Sequence, residues 1–301
     1  MTKPLTHIQH PEDLILSGEL WVVDALTNQA NHISVKIDGA PAVVWGAHPQ
    51  TGKFFVSTKS AFNKKKDKIC YTIDDVRKHF KGVYELQDIL ITCLMNLPVT
   101  EGIFQGDFIG FGGEGQKAFT PNTLTYTFSE APHQTIIVAP HTYYEVDSDT
   151  HMSQAVPHPL KGELISTDDC LFIQPFVDRF QRDHRPFKIN KSRWNFLSQK
   201  DAQSAIISIN ALIRSGQELD DQTLIDIIGD ADLVNLYQLV ISLKEMFMDD
   251  LIVYGSPTCS VGSERVLAEG FVIYSDHGDI PLKLVNRHEF AFNNMNYGKF
   301  S

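Results

Sequence analysis

Ile33-Ser34-Val35-Lys36-Ile37-Asp38-Gly39 is the stretch on which the reading of this chain turns. Its β-branched residues alternate with polar ones, the period of a half-buried strand. Ser34, Lys36 and Asp38 fall on one face, and Ile33, Val35 and Ile37 on the other. Asp38-Gly39 then supplies a turn, and Pro41-Ala-Val-Val-Trp45 begins a second apolar strand. An ammonium on a half-buried sheet face is costly unless something pairs with it. Lys36 is therefore either half of an ion pair or an amine kept ready for chemistry. What the rest of the chain supplies decides between the two.

The 301 residues, 43% of them hydrophobic, suffice for one large α/β or α+β domain, alone or with a smaller companion. A net charge of -11 argues against a surface built for non-specific nucleic-acid or membrane binding, but leaves room for a local basic groove. Cys70, Cys93, Cys170 and Cys259 are far apart and form no CxxC pair, so they read as reduced, buried thiols. The N-terminal MTKPLTHIQHPEDL lacks the apolar core of a secretion signal. No run reaches the ~18 apolar residues of a membrane span. A soluble, cytoplasmic protein with no membrane partner is expected, with its oligomeric state open.

Working outward, residues 10–30 read as helix, with Pro11, Glu12 and Asp13 in a first turn and an apolar stripe broken at Gly18. Residues 33–57 read as a β-meander. Between Lys53 and Lys68 stand six lysines (Lys53, Lys59, Lys64, Lys65, Lys66, Lys68) and one acid, Asp67. Such a run is either a solvated loop or a contact for polyphosphate or a nucleic-acid backbone. Helices are expected over 74–80 and 84–97, then a strand over 102–111 that carries Asp107 among apolar residues. The GFGGEGQ loop after it has no GK[ST] and reads as turn chemistry rather than a P-loop. Further strands are expected at 123–128, 135–146 and 170–176. The polar stretch 147–165 reads as loop, and His141, His151 and His158 lack metal-ligand spacing. After a charged segment, 178–191, residues 190–251 read as continuous helix, an insertion or subdomain. Strands return at 269–274 and 280–285, joined by a Ser-Asp-His-Gly turn.

Four charged residues thus stand in or at the ends of strands where packing favours apolar ones: Lys36, Asp107, Glu269 and Lys283. Two buried ion pairs are the bland explanation. In this order, however, the chain resembles the covalent nucleotidyltransferase superfamily of ATP-dependent DNA and RNA ligases and mRNA capping enzymes. Lys36-Ile-Asp-Gly39 resembles the KxDG nucleophile motif, and Phe55-Val-Ser-Thr-Lys-Ser60 the strand that follows it. Gly106-Asp107 resembles the Gly-Glu strand, and Tyr144-Glu145-Val146 the aromatic-acid strand end. Glu269-Gly-Phe-Val272 resembles EGxV, and Leu282-Lys283-Leu284 the closing lysine motif. The match spans residues 33–285. The phrases KIDGAPAVVWG, GKFFVSTKSAFNKK, FQGDF, FTPNTLTY and KLVNRHEF also resemble a branch carried by tailed bacteriophages, for which the compartment would be the host cytoplasm.

The resemblance implies an α+β, ligase-like nucleotidyltransferase domain of antiparallel sheets flanked by helices. It would span 1–301, with the helical insertion at 190–251. It implies ATP as cosubstrate with Mg²⁺ or Mn²⁺, and a lysyl-AMP formed at Lys36 with Lys283 at the α-phosphate. Val35, Asp38, Gly39, Lys59, Asp107, Tyr144, Glu269 and Arg287 would complete the nucleotide site, with Tyr143 as the alternative to Tyr144 for stacking on the base. Asp107 and Glu269 would take the metal. Lys59, Lys64, Lys65 and Lys66 would face a nucleic acid with a 5′-phosphate end. The chain departs from the pattern at Pro41, where ligases commonly have arginine, and at Val285, where a second lysine is usual and Arg287 is the substitute. Only sixteen residues follow Val285, too few for a C-terminal OB domain. Two other readings stay open: AMP transfer to a protein or small molecule, and nucleotide or nucleic-acid binding without catalysis.

Overall fold

Runs of period two between glycine, proline and asparagine turns make the strands of this chain, and runs of period 3.6 make its helices. The computed structural model describes residues 8–27, 32–160, 162–180, 189–262, 264–266, 269–274 and 280–287. Two short helices, α1 (Pro11–Ile15) and α2 (Trp21–Thr27), come first. Strands β1 (His32–Lys36), β2 (Ala42–Ala47) and β3 (Phe54–Ser57) precede α3 (Ile73–His79) and α4 (Tyr84–Asn96). A strand-rich middle holds β4 (Ile103–Phe111), β5 (Ala118–Phe119), β6 (Thr125–Thr127) and β7 (Ile136–Glu145). It continues through β8 (Val156–Pro159), β9 (Cys170–Phe172) and β10 (Phe176–Arg179). Helices α5 (Gln199–Arg214), α6 (Asp221–Ile228) and α7 (Ala231–Asp249) follow. The last strands are β11 (Leu251–Tyr254), β12 (Thr258–Val261), β13 (Glu264–Val266), β14 (Gly270–Tyr274) and β15 (Pro281–Leu284). The fold is α+β with antiparallel sheets, as expected, and β9 pairs with β7 in parallel. No helix among them is long and apolar enough to cross a membrane.

The described chain divides into two compact units: a first of 37–175 and 255–266, and a second of 8–36, 176–254 and 269–287. In the first unit, β3-β2-β4-β7-β8 form a sheet with β9 on β7, and β13-β12-β6-β5 form another. Trp45, Phe104, Phe108 and Val138 meet Val76, Ile89, Leu90, Cys93 and Leu97 of α3 and α4 in one core. Trp45 stacks on Phe172 with ring centroids 5.9 Å apart. A capping box of Thr72 and Asp75 starts α3. All four cysteines are buried. Burial pushes the Cys70 and Cys170 thiols up to about 12, so neither is a ready nucleophile.

The second unit holds the β1-β14-β15 and β10-β11 sheets and α1, α2, α5, α6 and α7. Ile15, Val22 and Leu26 are buried, as are Leu233, Leu236, Tyr237, Val240 and Phe247 along α7, and α1, α2 and α6 lie against that helix. The guanidinium of Arg179 covers the Phe247 ring at 3.9 Å. Helices 190–251, expected as an insertion, belong to this unit together with β1, β14 and β15.

Several expected elements change. The helix expected over 10–30 is two helices, because Gly18 takes φ +84° between them, and residues 28–30 lie outside the described ones. The expected continuous helix over 190–251 is three, each opened by an N-cap side chain (Ser198, Asp220, Asp230) and with α6 ended by Gly229 at φ +83°. The loop at 147–165 contains β8, whose two prolines hid it and whose place at the sheet edge tolerates them. The strand expected over 170–176 is β9 alone, with β10 beginning at Phe176. The Ser-Asp-His-Gly turn at 275–278 lies outside the described residues.

Candidate functional site

Strand pairing in the second unit places the two lysines. Lys36 stands opposite Gly270, and Val272 stands between Ser34 and Lys283. Alternation sends Val35, Phe271, Ile273, Leu282 and Leu284 to a face that is at most 9% exposed. Ser34, Lys36, Val272 and Lys283 share the other face. Gly270 has no side chain to offer opposite Lys36, and the carboxylate of Glu269, the residue before it, takes the Lys36 ammonium in an ion pair. Burial, then the charges of Lys36 and Arg287, push the Lys283 ammonium below its ordinary value. Among the described residues no carboxylate lies within ion-pair distance of Lys283.

A second charged cluster in this unit went unseen in the sequence. Lys244 of α7 donates to Glu12 Oε1 at 2.7 Å and to the Val285 carbonyl at 3.1 Å. Arg287 donates to Asp13, and its Nε lies 3.3 Å from Glu12 Oε1. All four are buried, Glu12 to 1% and Lys244 to 3% exposure. His10 lies in their field; burial first, then Arg287, Lys283, Lys244 and Lys36, holds its imidazole well below the usual value. Glu12 and Asp13 had read as ordinary first-turn acids. The signal available in the sequence was Lys244 itself, which stands on the apolar stripe of α7 four residues after Val240 and three before Phe247. Arg287, expected at the phosphates as the second closing cation, is buried and held by Asp13 and Glu12.

In the first unit the Asp38-Gly39 turn is clamped. The Asp38 amide donates to Tyr126 Oη at 2.8 Å. Asn122 Nδ2 donates to the Asp38 carboxylate at 2.6 Å and to its carbonyl at 3.2 Å. Gly39 is required by space, since a Cβ there would stand 2.4 Å from the Phe108 carbonyl oxygen. Its amide points to Asp107 Oδ2 at 3.4 Å, and Asp107 Oδ1 lies 3.7 Å from His141 Nε2. Tyr144 donates to Gln105 Oε1 at 2.8 Å and packs its ring on Phe62, centroids 4.2 Å apart. Burial pushes its hydroxyl up to about 12. One face of the ring expected to receive a base is thus covered by Phe62, whereas Tyr143 is 36% exposed. Lys59 lies exposed on a short turn after β3, and Lys64, Lys65 and Lys66 are exposed beyond it.

The candidate residues therefore fall into two groups. Lys36, Glu269, Lys283 and Arg287 lie in the second unit; Asp38, Gly39, Lys59, Asp107, Tyr143 and Tyr144 lie in the first. Among the described residues no three histidine, cysteine or carboxylate side chains gather as a metal centre. His151 and His158 lie instead beside Asp67 and Glu145, at 3.8 and 3.2 Å. The donors present fit a Mg²⁺ that keeps its waters and arrives with a polyphosphate, for which one or two carboxylates suffice.

A family model described as "Family of unknown function (DUF6267)" matches the chain over residues 5–228 and 227–299. The chain belongs to this family. No curated protein and no solved structure matches it. In this DUF6267 member the sheet face with Lys36, Lys283 and Glu269 is the arrangement best equipped for chemistry. It offers two amines on one face, on the strands flanking β14, one with a displaced pKa, and a carboxylate in contact with the other.

Proposed function

We propose that this DUF6267 protein is an ATP-dependent nucleotidyltransferase that adenylates Lys36 and passes AMP to a 5′-phosphorylated nucleic-acid end, in the manner of a polynucleotide ligase. The observation that carries the proposal is the pairing of Lys36 with Glu269 on the sheet face that also holds Lys283. In the first step the Lys36 amine attacks the α-phosphorus of ATP. A P–N bond forms, the bond from that phosphorus to the oxygen bridging to the β-phosphate breaks, and pyrophosphate leaves with the electron pair. The Glu269 carboxylate is in place to accept the proton that Lys36 must lose. Lys283, with no carboxylate at ion-pair distance among the described residues, is suited to the negative charge of the α-phosphate. Bound Mg²⁺ would neutralise phosphate charge, with Glu269 or Asp107 as its protein ligand. The roles of Asp107, Tyr143, Tyr144 and Lys59 rest on the resemblance alone, and the exposed Lys64-Lys65-Lys66 run supports a nucleic-acid acceptor.

Incubation with Mg²⁺ and α-labelled ATP should leave a covalent label that is absent in Lys36→Ala, and a chase with nicked duplex should discharge it. No label from either ATP or GTP overturns the proposal. A label that never discharges onto DNA or RNA ends favours a protein or small-molecule acceptor, to which the net charge of -11 is also suited.

A further inference from the structure

We infer that Glu12, Asp13, Lys244 and Arg287 are positioning residues for Lys283, and that α7 carries Lys244 for that purpose. Strand β15 is four residues long and pairs with β14 on one side only. On its other side it is gripped at three points, by the backbone of the exposed Gln9 and, just past the strand, by the buried Lys244 and Arg287 side chains. The Lys283 amide donates to the Gln9 carbonyl at 3.0 Å, and Gln9 pairs with Leu282 as an isolated parallel bridge. Lys244 holds the Val285 carbonyl while its ammonium is anchored on Glu12. Arg287 is anchored on Asp13 and Glu12.

An apolar plug would fill the same volume, but it would not fix where the backbone of 283–287 lies. Lys244 joins two acceptors from segments far apart in sequence, and that geometry has directional force in a buried, low-dielectric setting. Two carboxylates against two cations leave the clamp neutral, so it does not cancel the cationic character of the sheet face. The field of Arg287 also reaches the Lys283 amine and, with burial and Lys36, disfavours its protonation. A catalytic purpose for Lys283 rests on the nucleotidyl-transfer proposal; the clamp itself does not.

The test compares the wild-type protein with Lys244→Met, with the charge-balanced double variant Glu12→Gln/Lys244→Met, and with Val240→Ala. Val240→Ala weakens the same helix through its fully buried apolar face. Backbone amide exchange of residues 282–287 and competitive acylation of Lys283 by acetic anhydride across pH are read by mass spectrometry. Both clamp variants should raise exchange at 282–287 by about tenfold or more and displace the Lys283 acylation profile. Val240→Ala should do neither. Unchanged exchange and acylation in the clamp variants overturn the inference, as does an equal response from Val240→Ala. Where the wild type forms lysyl-AMP, the clamp variants should also slow labelling about tenfold with little change in KM for ATP. A wild type that never labels removes the nucleotidyl-transfer proposal, and exchange and acylation still decide the clamp.

Discussion

The two charged clusters of the second unit differ in exposure. On the sheet face Lys36 meets Glu269, and the two side chains keep 26% and 11% of their exposure. Around α1 two carboxylates meet two cations, and no side chain among them exceeds 9%. A balanced, closed network suits structure, because removing one member strands a charge in a low-dielectric interior. A half-open one suits chemistry, because a charge that keeps some contact with solvent can meet an incoming anion. Charge in an apolar setting therefore has two meanings, and exposure separates them.

The sharpest way to break this contrast is Lys36→Ala. The covalent AMP label should fall below detection while chemical denaturation shows a loss of about 1 kcal/mol or less, the range of partly exposed pairs. A large stability loss with no labelling in the wild type would move Lys36 into the structural class. Lys244→Ala or Glu12→Ala should do the opposite, each costing about 3–5 kcal/mol in urea unfolding. Gly39→Ala extends the comparison to a site fixed by space rather than charge. Its new Cβ would crowd the Phe108 carbonyl, with an expected cost of about 1–3 kcal/mol.

The smallest effect is in the pH dependence of the melting temperature. His10 is held below its ordinary 6.5, so below that pH the unfolded chain takes up a proton that the folded chain refuses. Stability is complete above 6.5 and falls as pH drops through the window beneath it; His10→Gln should flatten that fall. Lys283 is depressed from 10.5, so just below 10.5 the unfolded chain again binds more protons and stability rises with pH. Lys283→Met should remove that rise and leave the acid limb intact.

The polar residues set in apolar strands at 36, 107, 269 and 283 were legible in the sequence because alternation is a local property. So was the buried face of α4. The clamp was not, since Glu12 and Asp13 look like any helix start, and a single lysine on an apolar stripe names no partner. His141 beside Asp107 was missed for the same reason, and the two prolines of β8 concealed a strand that only its neighbour β7 reveals.

Sequence alone settled the strand that carries Lys36 and the oddity of a charge there. Those follow from backbone geometry acting over a few residues. The tertiary structure decided what each charge meets. Lys36 finds Glu269 across 233 positions, Lys244 finds Glu12 across 232, and Arg287 finds Asp13 across 274. No local period encodes those distances; packing and the need to neutralise buried charge select the partners. That selection assigns the clamp to structure and leaves Lys36 and Lys283 as the pair proposed for chemistry.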